Sequence, residues 1–337
     1  MKTHNAVFEE AFSFAALLRA YKRARRGKRY RSQVVSFTEN LEGNLIQLQT
    51  EVLTETYRHG AYQQFIVKDA KKRHIQAAPF RDRVVHQAIH AALEPIYEPS
   101  FVHHSYACRR GKGTIAAITT FQRYVRTNQY VLTADISRYF ASINHATLLM
   151  LLRRRLADQR MLRLCNLIID SSHTYPGVGI PIGNLTSQLF ANVYLNALDQ
   201  YVKHTLGTKR YIRYMDDIAV CSNDLTELHS FQTATATFVE QHLQLQFHPK
   251  KVQIQPVRVG IDYLGYRVFP THMSLRKSTV RRFVHRSRTA DATSDVYRQG
   301  VMAWYNMLAM PDRAGCSVGW YNEGTYRGYP WYNYNYV

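Results

Sequence analysis

With 337 residues, 46% of them hydrophobic, the chain is long enough to bury a large core, which excludes a wholly disordered polypeptide. Its 44 Lys plus Arg against 24 Asp plus Glu give a formal net charge of +20, so the expected partner is a polyanion. No apolar run reaches transmembrane length and Met1-Lys2-Thr3-His4 opens no signal-like core, so nucleic acid is expected rather than a membrane. Cys108, Cys165, Cys221 and Cys316 fit neither a zinc spacing nor a disulfide scaffold, which is the pattern of reduced thiols in the cytoplasm.

In chain order, residues 6–26 are predicted helical and merge into the basic run Tyr21–Arg31, interleaved with aromatics. Such a run either grips phosphates or is a solvated helix end, and composition leaves both open. A second helix is predicted from Asn40 to Tyr57. Alternation then marks Tyr62–Lys68 as a strand, with Lys71-Lys72-Arg73-His74-Ile75 as the turn and the returning strand of a hairpin. This basic hairpin, followed by the amphipathic segment Phe80–Ile89, has the cations to close over a triphosphate.

Further on, the apolar strand Tyr130–Ala134 ends at Asp135, either as the cap of the next helix or as a functional carboxylate. The glycine-containing loop Pro176–Gln188 opens a long apolar helix at Leu189–Leu195; little side-chain bulk lets a base pair approach, and a plain helix cap looks the same. Tyr214-Met215-Asp216-Asp217 then places adjacent carboxylates between apolar neighbours. Strand residues alternate faces, so a strand-turn-strand buries the flanks and carries both acids to a cleft. Adjacent acids resist burial unless a cation offsets them, and hard oxygen donors suit a divalent metal. If Asp135 lies beside this hairpin, the three carboxylates can hold two Mg²⁺ ions for phosphoryl transfer.

The order of these motifs resembles the reverse transcriptases over most of residues 20–290. The resemblance implies an α+β right-hand polymerase: a basic helical region at 1–60, fingers at 61–129, an antiparallel palm sheet within 130–272, a short helical thumb at 273–312 and an aromatic tail at 313–337. It implies Asp135, Asp216 and Asp217 as catalytic carboxylates, with Ile136 beside them in the metal site, and two Mg²⁺ ions as cofactors, for which Mn²⁺ substitutes. Lys251 matches the lysine that protonates or neutralises the leaving pyrophosphate, with Lys250 as its neighbour. Arg73, a lysine at 71 or 72 (Lys72 being preferred) and Arg81 would meet the incoming triphosphate. Phe140 falls at the aromatic gate that collides with a ribose 2′-hydroxyl, although an ordinary core aromatic looks alike. Tyr263, Leu264, Gly265 and Tyr266 match the primer grip, and the basic stretch from Leu275 to Arg288 matches the thumb.

Within that family, Ile182-Gly183-Asn184-Leu185-Thr186-Ser187-Gln188 is the discriminating loop, where many members carry Gln-Gly and end in Ser-Pro. The Ile-Gly and Ser-Gln variant is similar to bacterial and phage diversity-generating retroelement enzymes, which copy RNA error-pronely at adenines. Ile182, Gly183 and Gln188 would then contact the nucleotide. The partners implied are template RNA, a DNA product or primer, and a small basic accessory protein or a second reverse transcriptase. Antiviral-defence reverse transcriptases using a noncoding RNA are the alternative, and group II intron maturases the third. Outside polymerases stand an RNA-binding scaffold, which gives no reason to keep three acids in an RNA cleft, and a metal nuclease, which leaves Phe140 unexplained. The Tyr/Asn/Gly-rich tail either stacks on bases, primes through a tyrosine or packs loosely, the last being the expectation.

Overall fold

The computed structural model describes residues 3–68 and 72–289. Lys71, the chain beyond Thr289 and the aromatic tail at 313–337 lie outside the described residues. The run expected to be one helix over 6–26 is two, Phe8–Ala11 and Phe14–Ala24. Ser13 is the reason: its hydroxyl accepts from the Ala16 amide at 3.3 Å and caps the second helix. Helices Ser32–Glu39 and Leu41–Leu53 follow.

Strands β1 (Gln63–Lys68) and β2 (Lys72–Ala77) form an antiparallel two-stranded sheet in which Val67 faces Arg73. Helix Phe80–Tyr97 comes next, and then helix Thr114–Arg126. The central sheet is built from β3 (Tyr130–Asp135), β4 (Tyr211–Tyr214), β5 (Asp217–Ser222) and β6 (Gln253–Pro256), all antiparallel and in the order β4-β5-β3-β6. A third sheet joins β7 (Ile261–Tyr263), β8 (Tyr266–Val268) and β9 (Met273–Leu275), and leads into helix Lys277–Thr289.

Both faces of the central sheet are covered, which is why its strands read as apolar runs rather than strict alternation. Leu132, Ala134, Ile218 and Val220 face one core, shared with helices Phe80–Tyr97, Leu185–Gln200 and Leu225–Leu243. Val131, Ile212, Ala219 and Cys221 face the other, shared with helix Thr114–Arg126 and the β7–β8 hairpin. The N-terminal helices contribute Phe12, Leu17, Tyr21, Leu45 and Leu48 to the first of these cores, so residues 1–60 do not form a core of their own among the described residues.

Candidate active site

β4 and β5 pair Tyr214 with Asp217, leaving Met215 and Asp216 as a two-residue turn. Met215 has φ of 55°, a left-handed conformation that costs a residue with a side chain about 1–2 kcal/mol. The counterweight is Arg213, which is fully buried and donates from Nη1 to the Met215 carbonyl at 2.9 Å. The same guanidinium meets Asp199, also fully buried, at 2.8 Å from Nε and 2.5 Å from Nη2, and Tyr211 donates to that carboxylate at 2.6 Å. Burial by itself would lower the guanidinium pKa. The Asp199 charge and hydrogen bonds reverse that and leave it raised, so the guanidinium stays charged.

Across the sheet, Asp135 stands directly opposite Asp217. Alternation puts Asp135 on the face of Val131 and Thr133, and Asp217 on the face of Ala219 and Cys221, so the two carboxylates emerge on the same side. Opposed side chains in such a pair are about 5 Å apart at Cβ, and like charges there repel. Lys251 offsets one of them, its ammonium donating to Asp135. The segment before Lys251 is tied to the strand end: the His248 amide donates to the Asp135 carbonyl at 2.7 Å and the Ser137 amide to the Gln246 carbonyl at 2.9 Å. Those two bonds flank Ile136, whose side chain is buried and whose own carbonyl takes no part in them. Asp135 caps no helix, since the next one, Tyr139–Ser142, starts after Arg138.

Among the described residues, no three His, Cys, Asp or Glu side chains are grouped as a ready-made metal site. The donors present nonetheless suit Mg²⁺: two opposed carboxylates, a third acid on the adjoining turn, and repulsion that needs a cation. Lys251 brings one cation to Asp135.

Phe140 is half-buried, 5.5 Å from the Tyr139 ring, and its carbonyl accepts from the Ile180 amide at 2.9 Å. The loop carrying Ile180 is braced by His145, which contacts Asp170 and the Gly179 carbonyl, each at 2.7 Å. Ile182 is 36% exposed, and its carbonyl accepts from the Gln76 amide of β2 at 3.0 Å, which joins this loop to the β1–β2 hairpin. Gly183 takes φ of 127°, which favours glycine. The helix begins at Leu185, earlier than Leu189, so Gln188 lies half-buried in its first turn.

Arg73 is exposed on β2. Arg81 is engaged elsewhere: it pairs with Glu51, donates to the Arg58 carbonyl at 3.3 Å and lies 5.1 Å over the Tyr57 ring. Tyr263 and Tyr266 are the closing pair of the β7–β8 hairpin, with Leu264 and Gly265 at φ of 48° and 89° in its turn. The Tyr263 hydroxyl donates to the Asp217 carbonyl at 3.4 Å, so this hairpin touches the strand that carries the acid. Burial first, and then the Asp217 charge, raise the Tyr263 phenol well above its ordinary value.

Sequence reasoning missed Asp199, Arg213 and His145. A single acid in the apolar run Ala197-Leu198-Asp199 and a cation two residues before the turn were the available signals, each ordinary when taken alone.

An antiparallel sheet that opposes two acids beside a tight acidic turn, backed by helices and flanked by a basic hairpin, is consistent with a polymerase-like α+β fold. The family model described as reverse transcriptase (RNA-dependent DNA polymerase) matches residues 66–268, more than half of the chain. The chain belongs to that family, the RNA-directed DNA polymerases. Among curated proteins it is similar to Protein YkfC of Escherichia coli K12, 25% identical over 273 residues that cover 66% of this chain and 72% of that protein. It is also similar to the group II intron-encoded protein LtrA of Lactococcus lactis, 31% identical over 144 residues, 40% of this chain and 24% of LtrA. A putative COX1/OXI3 intron 2 protein of Saccharomyces cerevisiae is 21% identical over 257 residues, 56% of this chain and 29% of that protein. The chain thus spans most of one relative and less than a third of the two intron-encoded ones.

Proposed function

We propose that the protein copies an RNA template into cDNA at the Asp135, Asp216 and Asp217 site, and the observation that carries this is the register that opposes Asp135 to Asp217. When bound, two Mg²⁺ ions held by these carboxylates and the Ile136 carbonyl would supply charge stabilisation for the attacking and leaving oxygens. The chain's own residues do the rest. Arg213 and Asp199 hold the acidic turn in place, Lys251 stands against Asp135 ready to neutralise charge on a leaving pyrophosphate, and Phe140 excludes a 2′-hydroxyl. Arg73, with Lys72 as its neighbour in sequence, would meet the triphosphate from the fingers, and Tyr263 to Tyr266 would steady the primer. Primer extension with an RNA template, dNTPs and Mg²⁺ is the test: Asp216→Ala is expected to lose extension by at least about 10³-fold while keeping RNA binding. Full extension by that variant would remove the reading.

Within the family, the finer reading is retroelement-driven diversification with error-prone copying. Ile182 supports it, since a half-exposed aliphatic side chain on a loop braced against β2 offers no hydrogen bond to a base or nucleotide. Ile182→Gln is expected to lower misincorporation opposite template adenine several-fold; unchanged fidelity counts against it. The similarity to LtrA favours a second reading, a polymerase that works on intron RNA. Extension on an intron RNA far exceeding that on a repeat-derived RNA would favour the second.

A further inference from the structure

The outer edge of the central sheet carries cations and aromatic rings that nucleotide transfer at the acidic turn does not use. β4 is an edge strand, and residues 104–106 run beside it: the Arg213 amide donates to the His104 carbonyl at 2.9 Å and the Tyr106 amide to the Arg213 carbonyl at 3.0 Å. The His103 and His104 rings lie 4.9 Å apart, and His104 is 5.9 Å from Tyr124. Lys112 sits 5.1 Å over the Tyr106 ring and donates to the His103 carbonyl at 2.9 Å. Arg123 donates to the Thr120 hydroxyl at 3.2 Å, and Tyr106 donates to that same hydroxyl at 2.8 Å. Lys203 lies 5.6 Å over the Tyr211 ring, its ammonium held by the Thr208 and Lys209 carbonyls at 2.9 Å each.

Nearby acids are committed to other partners. Glu98 meets Arg109 at 2.8 Å, and Asp199 is buried with Arg213 and Tyr211. The cations here are fastened by carbonyls and rings, so they repel one another without being free to separate, and a polyanion relieves that repulsion. Burial first, and then Lys203, His103, Lys112 and Arg123, lower His104 to about 4, and His103 moves in the same direction, again from burial followed by its cationic neighbours. Both rings are therefore mainly neutral at pH 7, each with an acceptor nitrogen. A neutral imidazole accepts from a ribose 2′-hydroxyl, which DNA lacks.

The patch is set apart from the acidic turn. Thr114, whose hydroxyl donates to the Tyr214 hydroxyl at 3.1 Å, marks the end of helix Thr114–Arg126 nearest the turn. Arg123 is roughly 14 Å further along that helix at 1.5 Å per residue. We propose that this edge, formed by His103, His104, Lys112, Arg123 and Lys203 with Arg210 beside Tyr124, is a second RNA-binding surface that holds the ribose-phosphate backbone of template RNA outside the cleft.

The test uses the full chain with Arg123→Glu and Arg210→Glu combined, both exposed positions beside Tyr124. Fluorescence anisotropy would follow a labelled RNA stem-loop, a DNA hairpin of the same sequence and poly-glutamate. For the RNA stem-loop the double variant is expected to raise Kd at least about 10-fold and to cut the salt slope by about 2, one unit per lost phosphate contact. Binding of the DNA hairpin should change far less, extension of a short primed template should stay at the wild-type rate, and Arg123→Lys with Arg210→Lys should bind as wild type. Unchanged RNA affinity, equal weakening of RNA and DNA, or loss in the Lys pair would each overturn the proposal. Loss of poly-glutamate binding with RNA affinity intact would overturn it in favour of an acidic protein.

Discussion

The two hairpins, β4–β5 and β1–β2, to which the proposed function gives the acids and the fingers cations are built in opposite ways. The β4–β5 turn is fixed from beneath by a guanidinium and a carboxylate that see no solvent, with the Met215 carbonyl as one of the groups they satisfy. Among the described residues the β1–β2 hairpin has no third strand, and Phe65 and Ile66 on it are 43% and 51% exposed. Two strands alone are marginal in water, so this hairpin depends on ties such as the Gln76 amide to the Ile182 carbonyl and the Ser172 hydroxyl to Gln76 at 2.6 Å. The contrast separates two tasks. Under the function proposed, acids that would meet a reacting phosphorus at fixed positions are anchored in the core, whereas cations that would collect a diffusing triphosphate stand on an open edge.

The largest effect expected from breaking this contrast is at the anchor. Arg213→Met leaves Asp199 buried without its cation and should cost about 3–5 kcal/mol in urea unfolding. Adding Asp199→Leu removes the stranded charge and should recover much of that stability. Extension should stay low in the double variant, because the Met215 carbonyl still lacks its donor. A double variant that regained both would mean the pair serves stability alone.

A middle-sized effect belongs to a buried ring on helix Phe80–Tyr97. His86 stacks on His59 at 5.3 Å, and burial, with His59 and Arg83, holds its pKa down to about 3. Unfolded, it would take up a proton near pH 6.5, so between those values the unfolded chain binds more protons and stability falls as pH falls. The slope from this group is up to about 1.4 kcal/mol per pH unit, beginning below about pH 6.5 and ending near 3. Unfolding midpoints measured from pH 7 to 5 should decline less steeply in His86→Leu; an identical decline would assign the acid limb to other groups.

The smallest effect on the fold, and a selective one on substrate, is expected at the open hairpin. Arg73→Ala should move stability by no more than about 0.5 kcal/mol. It should raise the dNTP KM about 10-fold or more, the loss expected for a charge-assisted contact with phosphate. A large fall in melting temperature with unchanged KM would give Arg73 the role of an anchor and erase the distinction between the hairpins.

Much of this arrangement was legible in the chain because strands announce themselves by a period of two and helices by a period near four. That period marks Tyr62–Lys68, Tyr130–Ala134 and the acidic turn, whereas the helical pattern runs on through Ser13, whose hydroxyl accepts from the Ala16 amide and starts a second helix only in the fold. Arg81 shows the opposite limit. Its place in the chain points to a triphosphate, and no local pattern records its contacts with Glu51 on helix Leu41–Leu53 and with the Tyr57 ring beyond it.

By itself the sequence determined that a basic, well-cored protein would carry acids at the ends of apolar strands, since composition, period and turn chemistry are local properties. Only the tertiary structure decided that Asp135 faces Asp217, that Lys251 reaches Asp135, and that Asp199 and Arg213 lie under the turn. The physical reason is register: sliding β3 against β5 by one residue would send the side chain of Asp135 to the opposite face, and what prevents it is the packing of two separate cores against the two sides of one sheet.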